Sequence, residues 1–153
     1  MDKKPILNKP TKREYPPMHT AEHLLNATMG KLFGCERSRN THIERKKSKC
    51  DYEFSSEPSK EDMERVEQEV NKAIQRALTV TTSYMSREEA KGLVDLSKLP
   101  ADASDTLRIV KVGDYDICAC IGEHVENTSE IGEFYITTYT YNDGNLRIRF
   151  KLK

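Results

Sequence analysis

The last twenty-one residues, EFYITTYTYNDGNLRIRFKLK, commit this chain to antiparallel β-structure. Leu146, Ile148, Phe150 and Leu152 alternate with Arg147, Arg149, Lys151 and Lys153. A period of two gives a strand one apolar and one basic face. Ahead of it, Asn142-Asp143-Gly144-Asn145 carries type I′ hairpin chemistry, since both central positions need positive φ and Asp-Gly accepts it. With a two-residue turn, Tyr135, Tyr139 and Tyr141 fall on the apolar side, and the threonines face the basic one. A two-stranded hairpin is marginal alone, so its apolar side needs cover from elsewhere in the chain.

Helices supply that cover. Pro16 and Pro17 suit the start of a helix and Gly34 its end. Between them Ala21, Leu24, Leu25, Thr28, Met29, Leu32 and Phe33 repeat with helical spacing. Ser59 opens a second helix, expected to run to about Leu78 and to bury Met63, Val66, Val70, Ile74 and Ala77. Residues 41–54 read as strand material around the basic turn ERKKSK, and VTTSYM (80–85) as a further strand. Ser86 with Glu89 forms a capping-box pattern for a short helix. LRIVKV and YDICA flank Gly113-Asp114 as a second hairpin. Helices mixed with hairpins, without βαβ alternation, indicate an α+β fold with a largely antiparallel sheet packed with a few helices. The expected organisation is one domain over 16–153 behind a charged arm at 1–15.

Charge excludes some functions. Lys plus Arg (25) balances Asp plus Glu (25), so nucleic-acid binding has to rest on local patches. No apolar run approaches 18 residues, and MDKKPILNKPTKREYPPM lacks the apolar core of a signal peptide, so a cytoplasmic location is expected. Cys35, Cys50, Cys118 and Cys120 do not form a disulfide framework in a chain of this size; they are free thiols or ligands.

The chemistry concentrates in two short stretches. His19 and His23, four apart on the first helix, fall nearly opposite its apolar stripe, with Asn26, Ala27 and Gly30 along the same side. Residues i and i+4 of a helix sit about 5–6 Å apart at Cβ, close enough for two imidazoles to reach one ion. The motif is not H-E-x-x-H, because Glu22 adjoins the second histidine and is expected to point elsewhere on the helix; a metalloprotease is rejected. Near the C-terminus Cys120 and His124 repeat the spacing of four around Gly122. Zinc takes such nitrogen and thiolate donors in tetrahedral sets, so the two pairs can close one site. Cys118 is read as pointing to the opposite side of its strand, into the core.

HTAEHLL together with CIGEHVENTSEIG resembles the editing domain shared by alanyl- and threonyl-tRNA synthetases, and especially its free-standing relatives, the small AlaX proteins. The resemblance runs from about residue 16 onward and takes in SREEAKGLV, LRIVKVGDYDICAC and GNLRIRFKL. It implies a trans-acting deacylase for mischarged tRNA, typically serine or glycine on alanine tRNA, with Zn2+ held by His19, His23, Cys120 and His124. Synthetase-linked domains usually read C-G-G-T-H where this chain has Cys120-Ile121-Gly122-Glu123-His124, as small free-standing members do. The family's hydroxyl-sensing threonine corresponds to Thr41 or the neighbouring Asn40, and Gly122 and Gly30 are the other expected substrate contacts. Glu123 and Asp116 are the acid–base candidates nearest in sequence.

The expected partner is the acceptor end of a tRNA, met by a monomer or small homo-oligomer. Arg147, Arg149 and Lys151 on the last strand, or Lys46 and Lys47 in the basic turn, are the candidate phosphate contacts. Lysine and arginine on a terminal strand also discourage edge-to-edge aggregation. Two rival readings stand beside the enzyme: a zinc-stabilised tRNA-binding module without hydrolysis, and a metal-free interaction domain using the second helix.

Overall fold

The computed structural model describes residues 15–94 and 105–153; most of the expected N-terminal arm and the polar stretch before residue 105 lie outside them. The order is α1 (Pro16–Phe33), β1 (Asn40–Ile43), β2 (Ser48–Glu53), α2 (Lys60–Gln75), β3 (Val80–Ser86), α3 (Arg87–Ala90), β4 (Thr106–Val112), β5 (Asp116–Ala119), a 3-10 turn at Thr128–Glu130, β6 (Phe134–Asn142) and β7 (Asn145–Leu152). The expected α+β fold is what the chain adopts, with two antiparallel sheets, β1-β2-β7-β6 and β3-β4-β5.

The C-terminal hairpin forms as its turn chemistry dictates. Asn142 pairs with Asn145, and Asp143 (φ 48°) and Gly144 (φ 80°) both take positive φ. Its facing differs from expectation at one tyrosine. Tyr139 and Tyr141 lie opposite Ile148 and Leu146, but a bulge between Ile136 and Thr138 shifts the register. An extra residue in one strand swaps the faces beyond it. Ile136 therefore pairs with Phe150 on the apolar side, and Tyr135 faces Lys151 on the basic one.

The α2 helix starts on a reciprocal cap, with Asp62 N donating to Ser59 Oγ at 3.1 Å and Ser59 N to Asp62 Oδ2 at 3.0 Å. It ends earlier than the periodicity suggests. Ala77 takes a left-handed φ of 52° and is exposed, and Ala73 occupies the buried place expected for it. Helix α2 also closes the edge of β6. Phe134 N donates to Asn71 Oδ1 and Asn71 Nδ2 to Phe134 O, both at 2.9 Å, while Ile136 N donates to Glu67 Oε1 at 2.8 Å. Side-chain groups thus satisfy backbone that an edge strand would leave to water.

The main departure concerns α1. It is buried nearly all round, at Met18, His19, Thr20, Ala21, His23, Leu24, Leu25, Asn26, Thr28 and Met29, because α2, β1, β5 and the 3-10 turn all pack on it. One side carries the apolar stripe into a core shared with Tyr52, Val66, Val70, Phe134, Leu146, Ile148 and Phe150. The other side is equally enclosed, but by polar groups. Sheet β3-β4-β5 has apolar contacts on both faces, since Val112 joins the main core while Leu107 and Ile109 pack with Ala90 and with Ile117 and Ala119 of β5. Alternation then turns Asp116 and Cys118 towards α1. Cys118 therefore shares the face of Asp116 and belongs to neither apolar cluster, so it is not the core residue expected from a side opposite Cys120; residues two apart on a strand share a face.

Candidate metal centre

Helix α1 and the turn after β5 bring His19, His23, Cys120 and His124 together, with one donor atom from each lying within 4.8 Å of all the others. The His19 and His124 rings stack at 4.1 Å between centroids, and His23 stands edge-on to them at 5.0 and 4.5 Å. Cys120 Sγ lies 3.4 Å from His19 Nε2. The turn is braced by Arg108, whose Nη1 donates to the carbonyls of Gly122 and Cys120.

Hydrogen bonds behind the rings set their tautomers. His19 Nδ1 meets the Glu123 carbonyl at 3.0 Å, and a carbonyl only accepts, so Nδ1 carries the proton and Nε2 faces Cys120. His124 Nδ1 lies 2.9 Å from Thr20 Oγ1. That hydroxyl gives its own proton to the Pro16 carbonyl at 3.1 Å and accepts from Val125 N at 3.2 Å. Its remaining lone pair takes the His124 Nδ1 proton, which leaves Nε2 of His124 bare. His124 Nε2 is in fact buried without a hydrogen-bond partner, and so is His23 Nδ1. His23 Nδ1 lies 3.2 Å from Asp116 Oδ2, but off the line of a hydrogen bond. The orphaned His124 Nε2 is costly unless something completes it, whereas His23 Nδ1 has the Asp116 carboxylate beside it. Three imidazole nitrogens and one sulfur so arranged fit a metal ion.

Electrostatics among these side chains point the same way. Burial opposes the Cys120 thiolate, but the three histidines overcome it and lower the thiol to about 3. Burial likewise opposes a charged His23, yet Asp116, Cys120 and Glu22 raise it to about 9. His124 falls to about 4, chiefly through burial. Cys118, outside the donor set, is pushed up to about 12 by burial and stays a thiol.

Asp116 and Glu123, the acid–base candidates, take other places. Asp116 is gripped by Arg37, with Nη1 to Oδ1 at 2.7 Å and Nη2 to Oδ2 at 3.1 Å, and it backs His23. Glu123 is exposed and meets His19 through its backbone carbonyl. Thr41 and Asn40 are exposed on β1: Thr41 Oγ1 donates to Ser38 Oγ at 2.8 Å, and Asn40 Nδ2 to Asp51 Oδ2 at 3.3 Å. Gly30 lines a shallow groove with Ala27, Lys31, Tyr115 and Asp116, while Gly122 is buried with its carbonyl committed to Arg108.

Of the basic residues, Arg147 is bound to Asp51 through Nε and Nη2 at 2.7 and 2.9 Å. Arg149, Lys151, Lys46 and Lys47 are exposed. Glu22 does not point away. Its Oε2 lies 3.6 Å from His23 Nε2, and its side chain is only 12% exposed. Thr20, Arg37 and Arg108 also escaped the sequence reading; no local pattern marks them, because each acts across the fold.

Residues 107–149 match the family described as the Threonyl and Alanyl tRNA synthetase second additional domain. An alanine–tRNA ligase of Alkaliphilus metalliredigens (strain QYMF) is 36% identical over 129 residues, 80% of this chain and 14% of the ligase. One from Streptococcus pyogenes serotype M5 (strain Manfredo) is 34% identical over 119 residues, 77% of this chain and again 14% of the ligase. The chain thus spans about a seventh of the curated relatives it matches. The family match takes in Cys120 and His124, and together with the two ligase matches it makes the chain similar to the second additional domain of threonyl- and alanyl-tRNA synthetases, consistent with an AlaX-like editing domain.

Proposed function

We propose that this protein is a zinc-dependent aminoacyl-tRNA deacylase that removes serine or glycine from mischarged alanine tRNA. The observation that carries the reading is the donor cluster, in which hydrogen bonds donated by Nδ1 of His19 to the Glu123 carbonyl and by Nδ1 of His124 to Thr20 Oγ1 leave the Nε2 atoms of both rings bare. His19, His23, Cys120 and His124 would hold the ion. Zinc bound there supplies Lewis acidity towards the ester carbonyl and towards water.

The chain's own residues do the rest. Asp116, fixed by Arg37, backs His23 and keeps its ring in place. Arg108 clamps the turn that carries Cys120 and His124. The burial of α1 on its polar side excludes bulk water behind the donors, which strengthens every electrostatic contact there. Exposed Arg149, Lys151, Lys46 and Lys47 supply phosphate contacts for the acceptor end, with Arg147 retained by Asp51.

The test is hydrolysis of Ser-, Gly- and Ala-charged alanine tRNA, with zinc present, removed and restored. Release of serine or glycine ahead of alanine, lost and recovered with the metal, supports the reading. A protein that holds one zinc and hydrolyses none of the three overturns it.

Four protein donors around one point also favour a second reading, since closed sets are typical of structural zinc. Such a module would bind tRNA without hydrolysis. His23→Ala would unfold it, whereas in the enzyme the same change abolishes turnover with the fold kept.

A further inference from the structure

One acidic side chain beside the cluster has no part in holding the donors. Glu22 follows Ala21 on α1 and pairs with the next residue, with Oε2 3.6 Å from His23 Nε2. Asp116 lies on the other side of that ring, at Nδ1. The His23 imidazole therefore stands between two carboxylates of different kinds. Asp116 is neutralised by a two-pronged Arg37 contact. Glu22 instead has a neutral amide for a hydrogen-bond partner, Asn26 Nδ2 donating to Oε1 at 3.0 Å.

That amide cannot turn. Asn26 Oδ1 accepts from Tyr52 Oη at 2.8 Å and from Ser38 N at 3.1 Å, so its NH2 must face Glu22. Tyr52 is fully buried in the main core, and Asn26 is 5% exposed. The carboxylate is thus held in one orientation by groups anchored in the core. Such preorganisation is characteristic of a binding group, which must not pay its ordering cost when ligand arrives.

We propose that Glu22 receives the α-ammonium group of the aminoacyl ester, making the site selective for α-amino esters over α-hydroxy or N-acylated ones. The inference rests on the deacylase reading. A dication balanced by one thiolate leaves a net positive charge, and a cationic substrate group is repelled from it unless a further anion is at hand. Asp116 is spent on Arg37 behind the His23 ring. Glu22 Oε2 lies 3.6 Å from Nε2, the ring nitrogen that Asp116 leaves to the cluster. An α-ammonium is attached one carbon from the ester carbonyl, so a carboxylate beside the cluster reaches it while the carbonyl faces the donors. Ser38 is linked to Glu22 through Asn26, its backbone N donating to Asn26 Oδ1, and its hydroxyl accepts from Thr41 Oγ1 at 2.8 Å.

Calorimetric binding to the zinc-loaded protein tests this without turnover. The probes are the non-hydrolysable amide of serine with 3′-amino-3′-deoxyadenosine and its counterpart with a hydroxyl replacing the α-amino group. A charge-assisted hydrogen bond makes the wild type prefer the amino compound by about tenfold or more. Glu22→Gln should abolish that preference, bind the hydroxy compound as before and keep its zinc; Glu22→Asp should restore part of it. If the wild type binds both probes and Glu22→Gln keeps the preference, the role of Glu22 is wrong while the deacylase reading stands. If the wild type binds neither probe, the deacylase reading fails and takes this inference with it. Should Glu22→Gln not fold, the Glu22→Asp arm decides alone: an unchanged preference overturns the proposal and a reduced one supports it.

Discussion

His23 Nδ1 lies 3.2 Å from Asp116 Oδ2, and Arg37 grips Asp116 through both carboxylate oxygens. A residue that adjacency in sequence marks as an acid–base candidate therefore sits against a candidate donor, fixed from behind by an arginine. Groups behind a metal-binding histidine typically contribute 10–100-fold in metal affinity. Asp116→Asn is expected to weaken zinc binding by about that factor, with the secondary structure unchanged. Chelator competition followed by circular dichroism checks both halves. Undiminished affinity would return Asp116 to the acid–base role.

Metal uptake should release a proton from His23. At pH 7 the Cys120 thiol, lowered to about 3, is already ionised, and His124, lowered to about 4, is neutral. His23, raised to about 9, is protonated and must become neutral to donate. Zinc binding at pH 7 should thus release about one proton from this trio, and release should fade as pH rises through 9. Calorimetry in two buffers of different ionisation enthalpy measures the number directly.

The same three groups set how the metal-free fold responds to pH. From 6.5 to 9 the folded trio holds one proton, on His23, and the unfolded trio also holds one, on Cys120 with its ordinary value of 9.0. Equal counts make stability flat there. Below 6.5 the unfolded chain protonates both His23 and His124 and keeps the Cys120 proton, while the folded trio still holds only the one on His23 until His124 titrates near 4. The unfolded state then binds about two more protons, so stability falls as pH falls. Urea unfolding of metal-free protein at pH 8, 6.5 and 5 should give two similar midpoints and one clearly lower. A midpoint that rises at pH 5 would reverse the charge assignment.

Much of this was legible in the sequence where local chemistry decides. Period-two alternation and Asp143-Gly144 define the last hairpin, and Ser59 and Ser86 start α2 and α3 through reciprocal caps. The four donors were legible because repeated spacings place them in pairs. What lay beyond was tertiary. Helix α1 looks amphipathic because His19, His23 and Asn26 are polar, yet that side is buried too, against polar partners that periodicity does not reveal. Cys118 was assigned the wrong side by overlooking that alternation returns to the same face at the second residue. The bulge before Thr138, which turns Tyr135 towards Lys151, carries no turn signal such as glycine at the shifted position.

Gly132, the last residue of the TSEIG stretch, should tolerate no side chain. Its φ is +90°, and a Cβ there would meet the Lys153 carbonyl oxygen at 2.6 Å. That backbone approach closes the final strand pair, with Lys153 N donating to Glu133 O at 2.9 Å and Glu133 N to Lys153 O at 3.2 Å. Gly132→Ala is expected to destabilise the fold by about 1–3 kcal/mol, from strain at positive φ and displacement of the terminal pair. A thermal midpoint within error of the wild type would show that the C-terminal residue yields without cost.

Basic residues that look equivalent in sequence should separate in a tRNA-binding assay. Arg147 faces across the sheet to Asp51 and is tied to it by two hydrogen bonds, whereas Arg149 and Lys151 project from the same face exposed. Phosphate contact releases counterions, so each lost contact flattens the dependence of log affinity on log salt by about 0.7–0.9. Arg149→Ala with Lys151→Ala should weaken binding and reduce that slope by about 1.4–1.8. Arg147→Ala should leave the slope unchanged and lower the thermal midpoint instead, because it strips the buried Asp51 carboxylate of the group that holds its pKa down. Equal effects of all three substitutions on the slope would mean that Arg147 leaves Asp51 when RNA binds.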